Sequence, residues 1–486
     1  MTTIKTHTNI VTMHRSVRAV AALTLSMSAF ACSADKLNIT NPNTPSIAGA
    51  SGSPQALQLE ATGITFDVRA TRGNYILSTG IFGREIYNYT PQEPRNVSGF
   101  LIGVPGANRL DYSGFANGNW GAQYGTLRDI FNFKATIAAQ AAFTPAQKSA
   151  SLGFAQTMEA LTLLELIATR DSLGIVVEVR ADPLVVAPFV SRDSAYKYIL
   201  NTLDNANTNL LAGGAAFPFT LHSGFAGFNT PATFAQLNRA IASKAASYYA
   251  TAEGGAAAWT RSLAAGSASF LNVNATTRAA YDAGPFHPYG SSPDVNNPLN
   301  ATTGVNLYAH PSIQTDAPLK ADGTLDNRYL AKVGPKVTRT APGGFGIASS
   351  LGYTQPATIS SPIYIIRNEE LMLIRAEGLL ATGDKAGTLA IINNIRVNSG
   401  GLAASTLTTS SSANDILTEL LLQKRYSTAL EGDRWVDMRR YGRLSQLPLD
   451  IPSGPNMHFV AKVQPVPQAE CLVRVGNAAL AGPGCP

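Results

Sequence analysis

Apolar residues recur at helical spacing through much of the chain, in blocks that come in pairs. Over residues 123–142, Leu127, Ile130, Phe131 and Ile137 fall on one helical face, and over residues 145–170 Phe154, Met158, Leu161, Leu164 and Ile167 repeat every three or four positions. The two blocks are close enough to fold back as a helical hairpin. Ser191 stands where an N-cap belongs, ahead of a helix that runs to about Leu211. Residues 234–251 and 256–271, joined at Glu253-Gly-Gly, predict a second hairpin. Residues 369–382 and 386–398, joined at Gly383-Asp384, predict a third. The predicted fold class is mostly α, made of tetratricopeptide-like helical hairpins in which Ala and Gly allow close helix contact.

The periodicity breaks in two places. Residues 272–362 are rich in Asn, Pro, Gly, Tyr and Asp, and residues 69–120 scatter Tyr75, Phe82, Tyr87, Tyr89, Phe100 and Tyr112 among Gly and Asn. Both are expected to be irregular, and long irregular segments on a rigid helical scaffold commonly carry function.

The densest chemistry lies between Leu420 and Gly442, where an amphipathic helix runs into Glu431-Gly-Asp-Arg-Trp-Val-Asp-Met-Arg-Arg440. Arg425, Arg434, Arg439 and Arg440 are expected to face Glu431, Asp433 and Asp437 at near-helical spacing, with Trp435 as an apolar anchor. The structural reading is a clasp that holds the last helix to the body. A glycosidase-like pair of Glu431 and Asp437 is disfavoured, because adjacent guanidinium groups would keep both acids ionised.

This stretch resembles the C-terminal signature of the SusD/RagB family, Glu-Gly-x-Arg-Trp-x-Asp-x-Arg-Arg, at Glu431, Gly432, Arg434, Trp435, Asp437, Arg439 and Arg440. Gln423 and Ser427 depart from it, standing where the family usually places Glu. Residues 363–377, with Arg367 ahead of an acidic and apolar helix, 390–396, the Asp326/Arg328 pair and 465–470 are similar to further family segments. The resemblance implies a tetratricopeptide-like body of four hairpins spanning residues 55–486, with the irregular insert 272–362 and the motif region 363–443. It also implies a lipid-anchored protein on the outer face of the outer membrane. Such a protein binds a nutrient, most often an oligosaccharide, and hands it to a SusC-like TonB-dependent barrel transporter without catalysis or cofactor. A sugar site needs flat rings for stacking and polar groups for its hydroxyls. Composition of the two irregular regions makes Tyr75, Tyr87, Tyr89, Phe286, Tyr289 and Tyr308 the candidate ligand residues.

The first 31 residues hold Lys5, Arg15 and Arg18, no acid, and an apolar run from Ala19 to Ala31. That run is too short for a membrane span and reads as an export signal, with Met13 an alternative start. Ala29-Phe30-Ala31 suits ordinary signal peptidase, while Cys32 sits where a lipoprotein would be acylated; the family resemblance favours lipidation. Residues 32–54, rich in Asn, Thr, Pro and Ser, read as a flexible tether. Cys471 and Cys485 are then left as a disulfide pair or as two free thiols.

Composition narrows the function classes. The net charge of +6 falls to +3 once the three basic residues of the signal are removed, and charged residues are 14% of the chain. No basic cluster marks a nucleic-acid partner. No Cys-x-x-Cys occurs and the six histidines are scattered, which disfavours zinc. Gly-x-Ser-x-Gly, His-Glu-x-x-His and phosphate-loop patterns are absent, so a secreted hydrolase is a weaker alternative. A helical-repeat scaffold that binds another protein is the other.

Overall fold

A computed structural model describes residues 54–486, except 104–109, 293, 303, 478–479, 481, 483–484 and 486. The export signal, Cys32 and the tether as far as residue 53 lie outside the described residues.

Capping side chains fix where several helices begin. Thr144 accepts from the backbone N–H of Gln147, whose side chain returns the bond, and Pro145 occupies the first turn. Thr230 and Thr233 do the same ahead of Pro231, while Ser191 and Ser412 each cap a helix through the hydroxyl. The principal helices are α1 (Pro54–Phe82), α2 (Trp120–Ala139), α3 (Pro145–Arg170), α4 (Arg192–Leu211), α5 (Pro231–Tyr249), α6 (Gly255–Ser267), α7 (Asn368–Ala381), α8 (Lys385–Asn394), α9 (Ala413–Ser427) and α10 (Arg434–Arg440). From α1 to α6 each helix packs on the next; α7 then packs on α5 and α6, and α8 and α9 pack on α7. This is the mostly α, tetratricopeptide-like arrangement expected from the periodicity. Close approach has a specific cause at Gly153 of α3, where a Cβ would lie 2.6 Å from Leu210 Cγ of α4. The turn at Glu253-Gly-Gly is tighter than a loop: a π-helical turn, Ala250–Gly254, carries α5 directly toward α6.

One expectation is corrected. Residues 69–82 are not irregular but form the second half of α1, a 29-residue helix. Its glycines signal contact and not a break: a Cβ at Gly73 would collide with Pro298, and one at Gly80 would lie 2.6 Å from Ile86 Cγ2.

Residues 272–362 are stitched to the body by short antiparallel ladders. Strand β1 (Ile86–Asn88) pairs with β3 (Leu307–Ala309), which sets Tyr87 opposite Tyr308. Strand β2 (Phe286–His287) pairs with β6 (Ile363–Tyr364), which sets Phe286 opposite Tyr364. Between them, β4 (Val333–Thr340) and β5 (Ala348–Tyr353) form a hairpin with a register shift between Pro335 and Arg339. At the C-terminus Cys471 and Cys485 form a disulfide. Among the described residues no helix is long and apolar enough to cross a membrane.

Candidate functional site

The turn between α9 and α10 is built around a position that only glycine fills easily. Gly432 has φ +87°, and a Cβ there would lie 2.7 Å from Tyr75 Cε1. The turn drops Trp435 into the core, fully buried, with its indole N–H donating to Ala461 O at 2.8 Å and its ring 4.9 Å from that of Phe82.

The charges around this turn are buried and paired, but mostly not with one another as their spacing suggested. Glu431 accepts from Arg367 at 2.9, 3.1 and 2.8 Å; Arg367 also donates to Glu369 at 2.6 Å. Asp433 receives Lys244 at 2.8 Å. Burial works to raise the pKa of Asp433, but Lys244 and Lys424 outweigh it and hold the carboxyl at about 2. Lys424 bridges Glu377 and Asp437, each at 3.0 Å, and Arg440 closes the ring onto the same two acids. Arg425 turns outward to Asp316 at 2.6 Å, Arg434 donates to Gly83 O, and Arg439 donates to the carbonyls of Lys462 and Ala168. The clasp therefore ties α10 to α5, α7 and α9, and only Asp437–Arg440 is a bond within the motif. Long-range partners such as Arg367 and Lys244 are invisible to helical spacing.

The two departures at Gln423 and Ser427 have a local explanation. Arg328 follows Asp326, which caps the short helix Asn327–Lys332 and pairs with the Arg328 guanidinium at 3.0 Å. With that carboxylate in place, Arg328 takes neutral acceptors from α9, Gln423 Oε1 at 2.6 Å and Ser427 Oγ at 3.0 Å.

Against this clasp opens a groove of about 390 Å³, within the roughly 300–1,000 Å³ range of small-molecule sites. Its apolar lining is Ala331, Pro356, Pro362, Ile363, Tyr364 and Leu430. The polar groups are Arg278, Asp282, Gln355, Ser361, Lys332 and Glu431, with Arg328 and Arg367 behind them. Arg278 is half exposed and forks onto Asp282 at 2.7 Å while reaching Glu369 at 2.7 Å. Lys332 donates to the carbonyls of Tyr426, Ser427 and Ala429 at the end of α9. Burial, partly offset by Glu431, lowers its pKa to about 8. The groove thus offers apolar side chains, a half-buried tyrosine ring, and charged groups, Arg278, Asp282, Lys332, Arg367 and Glu431, already held by ion pairs.

Five of the six candidate aromatics are packing residues and present no face to a ligand. Tyr75, Tyr87, Tyr89, Tyr289 and Tyr308 are at most 6% exposed. Tyr87, Tyr89 and Tyr308 stack in series, with centroids 5.5 and 5.3 Å apart, along the β1–β3 ladder. Their hydroxyls are spent on Asp450, Ile347 O and Val337 O, and that of Tyr289 on Arg69 O. Pairing of β1 with β3 against the helical body buries Tyr87 and Tyr308 together with Ile86 and Ala309, which composition could not reveal. Phe286 is only half-buried and leans edge-on against the groove residue Tyr364 at 6.2 Å, but it does not itself line the groove. Outside the groove, Phe115 is an exposed ring at 44%, covered by Arg95 at 4.3 Å.

Residues 347–471 match the SusD family model. No curated protein matches the chain significantly. Among solved structures the chain is similar to a SusD superfamily protein from Bacteroides vulgatus, with TM-score 0.63 and 14% identity over 87% of this chain and 97% of that one. It is similar to NanU of Bacteroides fragilis, with TM-score 0.63 and 14% identity over 91% and 99%. It is also similar to the surface glycan-binding protein A of Bacteroides fluxus, with TM-score 0.61 and 13% identity over 89% and 100%.

Proposed function

We propose that the chain is a member of the SusD/RagB family, whose model its residues 347–471 match, and that it is a lipid-anchored protein of the outer-membrane surface that binds an oligosaccharide in the groove beside the clasp. The observation that carries the reading is the groove's mixed lining, which brings the Tyr364 ring and apolar side chains together with Arg278, Asp282, Gln355, Lys332 and Glu431. A pyranose has the same mixed character, apolar C–H faces and a belt of hydroxyls. Support also comes from the likeness to the surface glycan-binding protein A of Bacteroides fluxus. Acylation at Cys32 supplies the anchor, and the bound sugar passes to a SusC-like TonB-dependent barrel. The protein does not cleave its ligand. What supports this is that the groove's two carboxylates, Asp282 and Glu431, are paired with Arg278 and Arg367 and not held free as the acid a glycosidase uses.

A second reading places the sugar on Phe115, because that ring is exposed and carries the Arg95 guanidinium over its face. Calorimetric titration of the full chain in detergent against a panel of glycans and peptides separates the two. With the groove as the site, Tyr364→Ala weakens glycan binding by roughly 1–3 kcal/mol and Phe115→Ala leaves it unchanged. The reverse pattern moves the site to Phe115. Binding of peptides alone removes the glycan assignment, and release of reducing ends removes the non-catalytic one.

A further inference from the structure

The last two arginines of the motif reach a second cavity, separate from the groove. It measures about 130 Å³ and is lined by Asp171, Arg192, Tyr196, Tyr248, Arg439 and Arg440, with Thr251 and Ala252 at its partly exposed edge. Three guanidinium groups face one carboxylate. That carboxylate is already engaged, since Asp171 accepts from Arg192 Nη1 with both oxygens at 3.0 and 3.1 Å. Arg192 Nε is held by Glu253 at 3.0 Å.

Arg439 and Arg440 are themselves 9% and 5% exposed, and each keeps one buried donor without a hydrogen-bond partner: Arg439 Nε and Arg440 Nη1. The rest of each guanidinium is occupied. Arg439 donates to Lys462 O and Ala168 O, and its nearest carboxylate oxygen is Asp171 Oδ2 at 3.7 Å, beyond hydrogen-bond reach. Arg440 donates to Asp437 at 2.8 Å and to Glu377. Arg440 therefore has its charge balanced by two acids, whereas Arg439 shares the single Asp171 carboxylate, at 3.7 Å, with Arg192 and otherwise meets carbonyls and the Trp435 ring at 4.7 Å. The clasp accounts for the other bonds of these arginines but not for the two free donors.

We propose that this cavity binds one small oxyanion, a phosphate or carboxylate group, between Arg439 Nε, Arg440 Nη1 and the Arg192 edge. Guanidinium forks match oxyanions in both charge and geometry. The volume admits a few waters or a single such group and is well below what a sugar ring with its surroundings occupies. Entry lies between the start of α4, where Arg192 is one-quarter exposed, and the π-helical turn at Thr251 and Ala252. Whether free phosphate or the carboxylate of a larger acidic molecule is the source is settled by comparing two probes.

The test is calorimetric titration of the full chain in detergent, in chloride buffer, with inorganic phosphate and separately with acetate. Expected is saturable one-site binding of at least one probe, about tenfold weaker in Arg439→Gln and weaker again in the Arg192→Gln/Arg439→Gln double variant. Phosphate binding alone indicates a phosphoryl ligand, and acetate binding a carboxylate; both uphold the site. Arg192→Gln, at the partly exposed edge, gives the same reading if Arg439→Gln unfolds. Tyr364→Ala, in the groove, leaves the anion titration unchanged, so this site and the sugar site fail independently. No saturable binding of either probe overturns the proposal, as does binding that survives in Arg192→Gln and Arg439→Gln alike.

Discussion

Trp435 holds α10 to the body, and its removal should cost stability in proportion to what the structure shows it touching. The indole is fully buried, packed at a tilt against Phe82, covered by Arg439 and bonded to Ala461 O. Trp435→Ala removes the whole ring at a cost of about 3–5 kcal/mol and leaves the Ala461 carbonyl buried without its donor. Trp435→Phe keeps most of the packing and loses the bond, at about 1–2 kcal/mol. For a body of roughly 430 residues the entropy of unfolding is about 0.9 kcal/mol/K. The expected fall in Tm is therefore about 3–6 °C for the alanine variant and about 1–2 °C for the phenylalanine variant. Scanning calorimetry of the full chain in detergent measures both, with ligand titration of each folded variant alongside. Equal shifts for the two variants would refute the packing contribution, and an unshifted Tm in Trp435→Phe would refute the hydrogen-bond contribution. A large loss of affinity at unchanged Tm would refute the purely structural role and put the motif in the ligand site.

Two further predictions concern pH and the anchor. Burial, only partly offset by Arg434 and Arg425, raises the Glu85 carboxyl from 4.5 to about 7; between those values the folded chain holds a proton that the unfolded chain has released, so stability falls as pH rises. About 3 kcal/mol is involved. The Tm advantage of Glu85→Gln over wild type should grow from pH 4.5 to 7 and level off above, and an advantage independent of pH would contradict the assignment. Cys32→Ser should abolish incorporation of a tagged fatty acid and release the protein from the membrane fraction; retained label in that variant would place the anchor elsewhere.

Periodic helices were readable from sequence because their apolar stripes and capping residues point the same way, as at Thr144-Pro145 and Ser191. The helix α1 was not, since Gly73 and Gly80 look like breaks until Pro298 and Ile86 are seen pressed against them. The motif's fixed residues were legible as a clasp. Their partners were not, because Arg367, Lys244 and Glu377 come from helices far along the chain. The candidate site was the least legible part. The irregular segment 272–362 does supply much of the groove, through Arg278, Asp282, Ala331, Lys332 and Pro356, yet the tyrosines chosen within and beside it face inward. The groove ring, Tyr364, lies two residues beyond that segment in a strand of only two residues, and no periodic signal marks so short an element.

The central claim is that the ligand lies in the groove between Tyr364, Leu430 and the Arg278–Asp282 fork. Its most direct test is a crystal structure of the full chain with the tightest-binding glycan of the panel. Expected is a sugar ring stacked on Tyr364 with its hydroxyls on Arg278, Asp282 or Gln355. A glycan bound over Phe115, or anywhere that leaves the groove empty, would contradict it.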